Sequence, residues 1–566
     1  MSSVFISDYS FAQTSLTWKL FSSPLDTAIV LAGTFGEIRS NHFHSGIDIR
    51  TGGEEGKEVM AVSDGFISRI KVSAVGFGKA LYITHNNGYV TVYAHLQKFN
   101  DTLDKYVKRE QYKRESFEVE LFPSANEFVF KQGEIIAYSG NTGGSTGPHL
   151  HFETRDTKTE EPREPLLFLG NILNDTIHPE IKSIVIYPLN KNGSVNSACQ
   201  KLLVPLVLRD KIFSDTTTQK IVVNGEIGFG IETYDKQIHE GAELGIKRIE
   251  LFIDDKMIYD YSIERFRFDE TKFVNANIDY AETVGWGKTI ILCYRLPGND
   301  FRVTFRNELQ GILNFNSEAS HEVLFHVYDF NNNISQASFY FTSASEKVSC
   351  AGNIPNDSTF LISYDKPFIH EGSELKISSD KLPVVYDNIY VTITKRGQEK
   401  NHFSKTFVVG ADTIPVHNAI TLSIKANNLP KAMRDKALIV KIDKDGNVTS
   451  AGGSFANGFV TSKIRSFGNY AVAVDTVPPE IKATNLSTRG KDAVIKFKIK
   501  ISDDLSGIAT YRATLNKKWM LFEYDAKTGT LSGEEKVEKK NTTYNFKLVV
   551  SDKKGNRSTY SATMKY

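Results

Sequence analysis

Short alternations of apolar and polar residues, separated by turn residues, dominate the first third of the chain. The clearest example is KALYITHNNGYVTVYAHL, residues 79–96, where two apolar runs flank Asn87-Gly88, a dipeptide preferred in tight hairpin turns. Further glycine turns separate strand-like runs from about residue 30 to 173, without the βαβ alternation of a parallel sheet. The pattern predicts a mainly β chain that begins with an antiparallel β domain over residues 30–173.

One charged stretch interrupts this pattern. NDTLDKYVKREQYKRESFEVEL, residues 100–121, consists largely of good helix formers and carries few strand signals. We interpret residues 101–130 as an insertion in the β domain that contains a short helix.

Two near-identical segments mark the starts of later modules. DTIHPEIKSI begins at Asp175 and DTVPPEIKAT begins at Asp475, and each places a proline just before a strand-like run. Short strands with turn residues follow both segments, as in immunoglobulin-like sandwiches. We therefore predict three β-sandwich-like modules after the first domain: residues 174–346 with an insertion, 347–472 and 473–566.

Length and composition fit this multidomain organisation. A chain of 566 residues is too long for one core, and a prior of about 150 residues per domain gives three or four. The net charge is +1, from 68 basic and 67 acidic residues without a long block of one sign, so nothing indicates a nucleic-acid partner. The three cysteines are widely spaced, which argues against a disulfide framework or a cysteine-rich zinc site.

The N-terminal segment, residues 1–29, does not resemble a complete targeting signal. Ser10-Phe11-Ala12 fits the small-x-small pattern before a cleavage site, yet a basic start and a full apolar core are missing. We interpret the segment as a possible remnant of a secretion signal, with an ordinary flexible terminus as the alternative. No run approaches the ~20 apolar residues of a transmembrane helix, so none is expected.

Candidate chemistry is concentrated in the first domain. GPHLHFE, residues 147–153, places His149 and His151 two residues apart, hence on one face of a strand. NHFHSGIDI, residues 41–49, supplies His44 and Asp48, with the aspartate between two isoleucines that should face the core. Histidines plus a carboxylate are a normal zinc donor set, so His44, Asp48 and either His149 or His151 could bind a metal.

A fifth candidate, His95, ends the strand VTVYAHL, where alternation assigns it to the face of Thr91 and Tyr93. Six of the 13 histidines lie between His42 and His151, and this concentration favours a metal site over scattered structural histidines. We interpret His42 and His85 as non-catalytic.

Other potential metal motifs are less convincing. HEVLFH places His321 and His326 five residues apart in a strand-like run, whereas a zincin helix needs a spacing of four. The acidic turn SDDLSGI, with Asp503 and Asp504, contains ligand types that suit calcium, but we favour a solvated loop.

Four blocks of the first domain together resemble the lysostaphin/LytM-type zinc endopeptidases. They are HFHSGIDI, GKEVMAVSDGFISRI, HNNGYVTVYAHL and KQGEIIAYSGNTGGSTGPHLHFE, in this order, and the resemblance covers about a quarter of the chain. It implies a barrel-hybrid-related β fold and one zinc ion per chain. Position by position, His44, Asp48 and His151 match the zinc ligands, while His149 and His95 match the two catalytic histidines that do not bind the metal.

The resemblance implies a zinc metalloendopeptidase that hydrolyses peptide cross-links of bacterial peptidoglycan during remodelling or lysis of the wall. It also implies a periplasmic, cell-envelope or secreted location, and the β modules are candidates for contacts with envelope proteins. Two alternatives stay open: an inactive family member that binds or activates another wall hydrolase, and an envelope scaffold or adhesin. A biotinyl- or lipoyl-like carrier domain is disfavoured because it gives the histidines and the aspartate no role.

Overall fold

The computed structural model describes residues 21–565, apart from 171, 191–192, 218, 302–309, 346–347, 349–357, 488–493 and 537–541. The proposed signal remnant at residues 10–12 lies outside the described residues. In the part of the chain that is described, no helix is both long and apolar enough to cross a bilayer.

The first domain is built from two main antiparallel sheets and one separate two-stranded antiparallel pair, Ile38–Arg39 with His42–Phe43, as the alternating pattern predicts. Its strands are β1 (Leu31–Gly33), β2 (Ile38–Arg39), β3 (His42–Phe43), β4 (Ile47–Arg50), β5 (Glu58–Met60), β6 (Gly65–Val72), β7 (Lys79–His85), β8 (Tyr89–Ala94), β9 (Lys98–Phe99), β10 (Val119–Leu121), β11 (Val129–Phe130), β12 (Ile135–Tyr138), β13 (His149–Asp156) and β14 (Pro162–Arg163). The larger sheet has the order β1-β4-β13-β8-β7-β6-β10, with β11 on β6 and β14 on β13. The smaller sheet has the order β5-β12-β9.

The predicted insertion forms helix α1 (Asp101–Arg114) and the edge strands β10 and β11. Asn100 caps the helix by accepting the amide of Leu103, and Leu103 and Val107 pack into the domain core. The helix ends at Glu115, whose φ of 48° is left-handed. A second helix of one turn, α2 (Leu166–Leu169), closes the domain.

The first module after this domain forms one large sheet system. Its strands are Glu180–Pro188, Ser194–Val195, Leu202–Arg209, Ile212–Asp215, Val222–Tyr234, Arg248–Ile253, Lys256–Ser262, Ile291–Leu292, Leu313–Phe315, Ala319–Tyr328 and Ile334–Ser343. Most pairs are antiparallel, but Ile334–Ser343 runs parallel to two of its neighbours. A 3₁₀ helix, Thr271–Ala276, and an α-helix, Tyr280–Trp286, lie between the strands Lys256–Ser262 and Ile291–Leu292. Cys199 is disulfide-bonded, whereas Cys293 is free and buried.

The remaining two modules each have two facing sheets with a core of their own. The strands of the middle module are Thr359–Ile362, Phe368–Glu371, Leu375–Ser379, Ile389–Arg396, Thr406–Val409, Ile420–Lys425, Ala437–Ile442, Val448–Gly452, Ser454–Ala456, Phe459–Ile464 and Gly468–Val474, with a 3₁₀ helix at Lys431–Lys436. Those of the last module are Glu480–Ser487, Val494–Ser502, Ile508–Leu515, Lys518–Trp519, Glu523–Asp525, Thr530–Lys536, Thr543–Asp552 and Arg557–Lys565. The mainly β architecture with several β modules is thus confirmed.

Packing or strand pairing continues across two of the predicted domain limits. Phe21, Leu25 and Ile29 belong to the predicted N-terminal segment, yet they are buried in the core of the first domain because their apolar side chains cover its smaller sheet and α2. Near residue 472, the strand Gly468–Val474 continues two residues past the expected limit because it pairs with Ala437–Ile442 over its whole length. The domain limits stay predictions.

The first domain and the next module share buried surface. Phe35 and Phe43 belong to the first domain but lie in the apolar core of the module, where Phe43 stacks on Phe301 at 4.7 Å between ring centroids. Gln237 also joins the two parts, since its amide accepts from Leu31 N at 2.7 Å and donates to Ile29 O at 3.0 Å. The first domain is therefore anchored on the module rather than tethered by a free linker.

Candidate active site

Three neighbouring strands of the larger sheet bring the candidate residues together. Strand β13 lies between β4 and β8, and its register places His151 opposite Asp48 on one side and opposite Ala94 on the other. Ile47 and Ile49 point into the core with 0% exposure, so Asp48 faces the opposite side, as their alternation predicts. A carboxylate and an imidazole from distant parts of the sequence thus become cross-strand neighbours.

Three donor atoms converge at this point. His44 Nε2 lies 3.1 Å from Asp48 Oδ1 and 3.1 Å from His151 Nδ1, and His151 Nδ1 lies 2.9 Å from Asp48 Oδ1. A tetrahedral site with zinc–ligand bonds of roughly 2.0–2.1 Å has ligand atoms roughly 3.3 Å apart. The three atoms have nearly this spacing, and all three residues are less than 10% exposed. They therefore form a buried group that fits a tetrahedral metal ion.

The remaining nitrogen of each ligand-position histidine has a fixed partner. His44 Nδ1 lies 2.8 Å from the carbonyl oxygen of Thr34, and His151 Nε2 lies 2.9 Å from Glu153 Oε1. A proton on these nitrogens leaves a lone pair on His44 Nε2 and on His151 Nδ1, the two atoms that face Asp48. The surroundings therefore set the tautomer and ring orientation that metal binding needs.

Carboxylates on both sides favour positive charge at His151. Burial opposes protonation of this ring, but its contacts with Asp48 and Glu153 raise the pKa of His151 to about 9. Burial likewise opposes ionisation of Asp48, but the surrounding histidines, His44 first, hold the pKa of its carboxyl well below the ordinary value. A metal ion can take the place of the proton on His151, because metal binding to such a group releases protons.

Glu153 is a functional residue that the sequence analysis missed. It is completely buried, and its other oxygen accepts from Arg155 Nε at 2.6 Å, while Ser45 donates to Oε1 at 2.5 Å. Burial opposes its ionisation, but Arg155 and then His151 lower the pKa of Glu153 to about 2. Its position two residues after His151, on the same strand face, was the available signal. Arg39 was also missed; it donates to Asp48 Oδ2 at 3.2 Å and leaves Oδ1 for the metal position.

His149 lies beside the three-donor group but outside it. Its Nδ1 is 2.9 Å from the carbonyl oxygen of Gly147 and 3.2 Å from Ser145 Oγ. Its Nε2 is 3.4 Å from Asp48 Oδ1. A proton on Nδ1 therefore leaves a lone pair on Nε2 that is directed towards the metal position. Of the two histidines left open by their spacing, His151 completes the group whose donor atoms lie within 4.8 Å of one another.

His95 also lies at the candidate site, but its side chain does not point in the direction that strand alternation predicts. It lies just after β8 with a left-handed φ of 58°, so strand alternation no longer sets its direction. Its ring faces His149 at 4.8 Å and His151 at 5.8 Å, beside Phe77 and on the face of Ala94. The assignment of His95 to the face of Tyr93 is therefore wrong, because Tyr93 points into the core.

The neutral form of His95 is strongly favoured. Burial, together with His151 and His149, lowers the pKa of His95 to about 3. Its Nδ1 lies 2.8 Å from the carbonyl oxygen of Thr142, so the neutral ring carries a lone pair on Nε2. His95 can therefore accept a proton or a hydrogen bond in this form.

The two other nearby histidines have ordinary partners. His42 is exposed, with Nδ1 2.9 Å from Ser40 O. His85 is buried between the carbonyl oxygen of Asp64 and the hydroxyl of Thr91. In the later module, His321 contacts Asp254 and His326 contacts Glu250, on a strand rather than a zincin helix.

The glycine loop of residues 140–147 has two roles. Gly143 adopts a φ of 74°, and a Cβ there would meet Gly76 O at 2.3 Å, so this glycine allows close packing of two backbones. Gly147, by contrast, has no atom within 4 Å of its Cβ position and borders the open groove. The loop therefore needs Gly143 for its own packing, while its end from Gly144 to Gly147 borders the groove and leaves space for another molecule near Gly147.

A groove of about 800 Å³ lies over the three-donor group. The first domain supplies most of its wall, including Phe77 and Gly147, but Phe268 and Thr271 belong to the next module. Phe268 stacks under the Arg155 guanidinium at 4.6 Å, and Thr271 Oγ1 accepts the Phe43 amide at 2.7 Å. The groove is therefore completed by a residue pair far away in sequence.

The last module contacts the opposite side of the groove. Lys527 donates to the carbonyl oxygens of Asn141 and Ser145, the latter at 3.0 Å, and Glu523 pairs with Lys79 at 2.9 Å. Ser145 also contacts His149. Lys527 of the last module is therefore linked to His149, the candidate base, through Ser145.

Comparison with known proteins assigns two parts of the chain. Residues 42–112 match peptidase family M23, and residues 359–475 match the Zu5-like domain. The M23 match includes His44, Asp48 and His95 and ends before the glycine loop.

Several relatives share the first domain. An uncharacterized metalloprotease of Haemophilus influenzae is 36% identical over 118 residues, which is 21% of this chain and 19% of that protein. The DD-carboxypeptidase/endopeptidase Mpg of Neisseria meningitidis is 36% identical over 112 residues, or 20% of each chain. The glycyl-glycine endopeptidase ALE-1 of Staphylococcus capitis is 31% identical over 129 residues, or 22% of this chain and 29% of that one. The chain thus spans about a fifth to a third of the length of these relatives.

Among solved structures, the catalytic domain of lysostaphin from Staphylococcus simulans is 26% identical. It covers 25% of this chain and 92% of that domain, with a TM-score of 0.19. The sequence matches confirm the predicted resemblance. The N-terminal domain of the chain is therefore a peptidase family M23 domain, similar to lysostaphin-type metallopeptidases.

Proposed function

We propose that the chain is a zinc-dependent endopeptidase that hydrolyses peptide cross-links of bacterial peptidoglycan. The observation that carries the proposal is the group of His44 Nε2, Asp48 Oδ1 and His151 Nδ1, whose atoms lie 2.9–3.1 Å apart and whose other ring nitrogens are occupied. Two nitrogens and one oxygen suit zinc, and a catalytic zinc site uses three protein ligands.

The metal and the nearby histidines divide the work. When bound, zinc supplies a Lewis acid that activates water and polarises a carbonyl group. His149 Nε2 then accepts the proton of the attacking water, since its Nδ1 proton is engaged with Gly147 O. The same imidazole later delivers this proton to the leaving amine.

His95 assists from the other side of the groove. Its Nε2 lone pair can accept a proton or orient the water while the ring is neutral. Donation of a hydrogen bond to an oxyanion requires His95 to hold a second proton, and burial opposes this charge. We therefore assign proton transfer and water orientation to His95, rather than stabilisation of the oxyanion.

Peptidoglycan is proposed as the substrate from the chemistry of relatives and from the groove. The Neisseria and Staphylococcus relatives are named as DD-carboxypeptidase/endopeptidase and glycyl-glycine endopeptidase. The open space near Gly147 allows a peptide backbone to approach the loop closely. This substrate implies a location in the cell envelope or outside the cell.

The β modules are proposed to shape the groove and to offer surfaces for envelope partners. Phe268 completes the wall on one side, and Lys527 holds the glycine loop on the other. The alternative of an inactive regulator receives no support at the site, because all five matched positions carry the expected residue types.

The test uses the full chain, since a fragment of the first domain alone would expose Phe35 and Phe43. Purified without chelator, the protein should contain about one zinc per chain and release new amino groups from purified peptidoglycan. Chelation should abolish turnover and added zinc should restore it. The exposed His239 provides a control, so His239→Ala should behave as wild type. Zinc binding without turnover on any wall preparation would favour the regulator, and absence of zinc would refute the site.

A further inference from the structure

Two of the β modules carry the same arrangement of three aspartates. Asp175, Asp235 and Asp329 form one cluster, and Asp475, Asp503 and Asp552 form the other; in each, one oxygen per residue lies within 4.8 Å of the others. The M23 site uses none of these residues. The arrangement therefore needs a separate explanation.

The two clusters occupy equivalent positions in their modules. Asp175 and Asp475 each lie five residues before the first strand of a module, which begins at a glutamate. Asp235 and Asp503 directly follow a long strand. The third member lies at the turn before the last strand in both modules. Each cluster thus joins the entry of a module to the ends of its strands.

The first cluster is deeply buried, and one of its carboxylate oxygens has no hydrogen-bond partner. Asp175, Asp235 and Asp329 are 6%, 3% and 0% exposed. Asp235 Oδ1 has no hydrogen-bond partner although it is inaccessible to solvent. Carboxylates buried side by side are costly unless a cation compensates them.

The backbone holds the other two carboxylates in position. Asp329 Oδ1 accepts the amides of Asn331 and Asn333 at 2.8 Å each, and Asp175 Oδ1 accepts the amide of Ile177 at 2.9 Å. The side-chain amide of Asn333 also donates to Asp329 Oδ2 at 2.7 Å, and a carboxylate oxygen that accepts one hydrogen bond keeps a second lone pair. These neutral donors do not neutralise the charge of the cluster.

A third turn in the chain shows that such hydrogen bonds alone do not require a neighbouring acid. Asp443 accepts the amides of Asp445 and Asn447 at 2.9 and 2.8 Å, in the same way as Asp329. Asp443 is exposed, and it belongs to neither cluster. This turn supplies a matched control.

We propose that Asp175, Asp235 and Asp329 bind a divalent cation of the Ca²⁺ class. A set of oxygen ligands without nitrogen or sulfur suits this hard cation, which takes 6–8 oxygens and completes its shell with carbonyl groups and water. Gln237, which holds the peptidase strand β1 through Leu31, lies two residues after Asp235. The cation therefore fixes the junction between the peptidase domain and the module.

The second cluster is the weaker site. Ser506 Oγ lies buried without a partner beside it, and the Ser506 amide donates to Asp475 Oδ2 at 3.0 Å. However, Asp503 is only partly buried, and the charge of Lys554 acts on Asp475 and Asp552. A lysine that already offsets part of the negative charge lowers the affinity for a cation.

The test measures Ca²⁺ binding by the full chain in metal-depleted buffer, with Tb³⁺ luminescence as a second readout. Tyr234 and Tyr328 adjoin two of the cluster residues in sequence and can sensitise Tb³⁺. Wild type should bind Ca²⁺, and Ca²⁺ at 100 times its Kd should raise the unfolding temperature of the module by about 5–10 °C. Asp235→Asn should abolish this temperature shift and lower the number of bound Ca²⁺ ions by one. Asp443→Asn should show the same shift and the same number of bound Ca²⁺ ions as wild type.

Without Ca²⁺, the substitution should change the unfolding temperature in the opposite direction. In the Ca²⁺-free state, Asp235→Asn should unfold at the same or a higher temperature than wild type, because it removes a repelled charge. Asp175→Asn, at a second residue of the cluster, should likewise lose Ca²⁺ binding and its temperature shift, and should not unfold at a lower temperature than wild type without Ca²⁺. Absence of Ca²⁺ binding to wild type at millimolar concentration, or equal binding by wild type and Asp235→Asn, would overturn the proposal.

Discussion

The pair His149 and His151 allows the sharpest test of the proposed chemistry. Both lie on β13 and face the groove, yet only His151 belongs to the three-donor group. His151→Ala removes one of the three proposed protein ligands. His149→Ala removes an imidazole whose Nδ1 is bound to Gly147 O and whose Nε2 is 3.4 Å from Asp48 Oδ1.

The two substitutions should affect different quantities: zinc affinity for His151→Ala and kcat for His149→Ala. Structural zinc sites with four ligands contribute about 10–16 kcal/mol, so one ligand accounts for about 2.5–4 kcal/mol. Loss of His151 should therefore weaken zinc binding about 100- to 1000-fold. Loss of His149 should leave zinc affinity within about threefold and lower kcat by about 10²–10⁴, the usual contribution of a general base.

The assay measures zinc affinity by competition with a chelating dye and turnover on a peptidoglycan peptide, for both variants side by side. His239→Ala again serves as the control because this histidine is exposed and distant in sequence. Equal loss of zinc in the two variants would make both imidazoles ligands. Full turnover in His149→Ala would transfer the proton-accepting role to His95.

Three further predictions follow from the surroundings of the site. Glu153→Gln, which keeps the shape but removes the charge next to His151, should weaken zinc binding about 10- to 100-fold with all ligands present, as dye competition would show; unchanged affinity would contradict it. Lys527→Ala, which frees the carbonyl of Ser145, should reduce turnover while zinc content stays unchanged, and identical kinetics would mean that the last module does not position the loop. Burial raises the pKa of Glu164 to about 8 from an ordinary 4.5, so the folded protein takes up a proton and the free energy of unfolding should decrease as pH rises from 4.5 to 8. Glu164→Gln should reduce this slope in pH-dependent thermal unfolding, whereas an unchanged slope would mean that Glu164 is ionised in the folded protein.

Local patterns in the sequence were sufficient for many of the elements. Asn87-Gly88 predicted the hairpin between β7 and β8, and the charged stretch predicted α1, because turns and helices depend on neighbouring residues. The two isoleucines around Asp48 predicted which way this carboxylate points, since strand alternation is a local property. The spacing of His149 and His151 put both on one face but left the choice of ligand open.

Tertiary structure decided which residues meet. The left-handed backbone of His95 reversed the face expected from alternation. Ser45 meets Glu153, and Phe268 completes the groove wall, only because folding brings distant parts of the chain together.

The acidic clusters show the same limit most clearly. In the sequence, Asp503 belongs to a turn that is better explained by solvation, and Asp235 has no notable neighbour. Folding brings each of them to two aspartates that lie far away along the chain. The sequence by itself determined the period, the turns and the order of the modules, because backbone geometry is local. Only the tertiary structure decided the neighbours of each charge, because burial and electrostatic interaction depend on distance in space rather than along the chain.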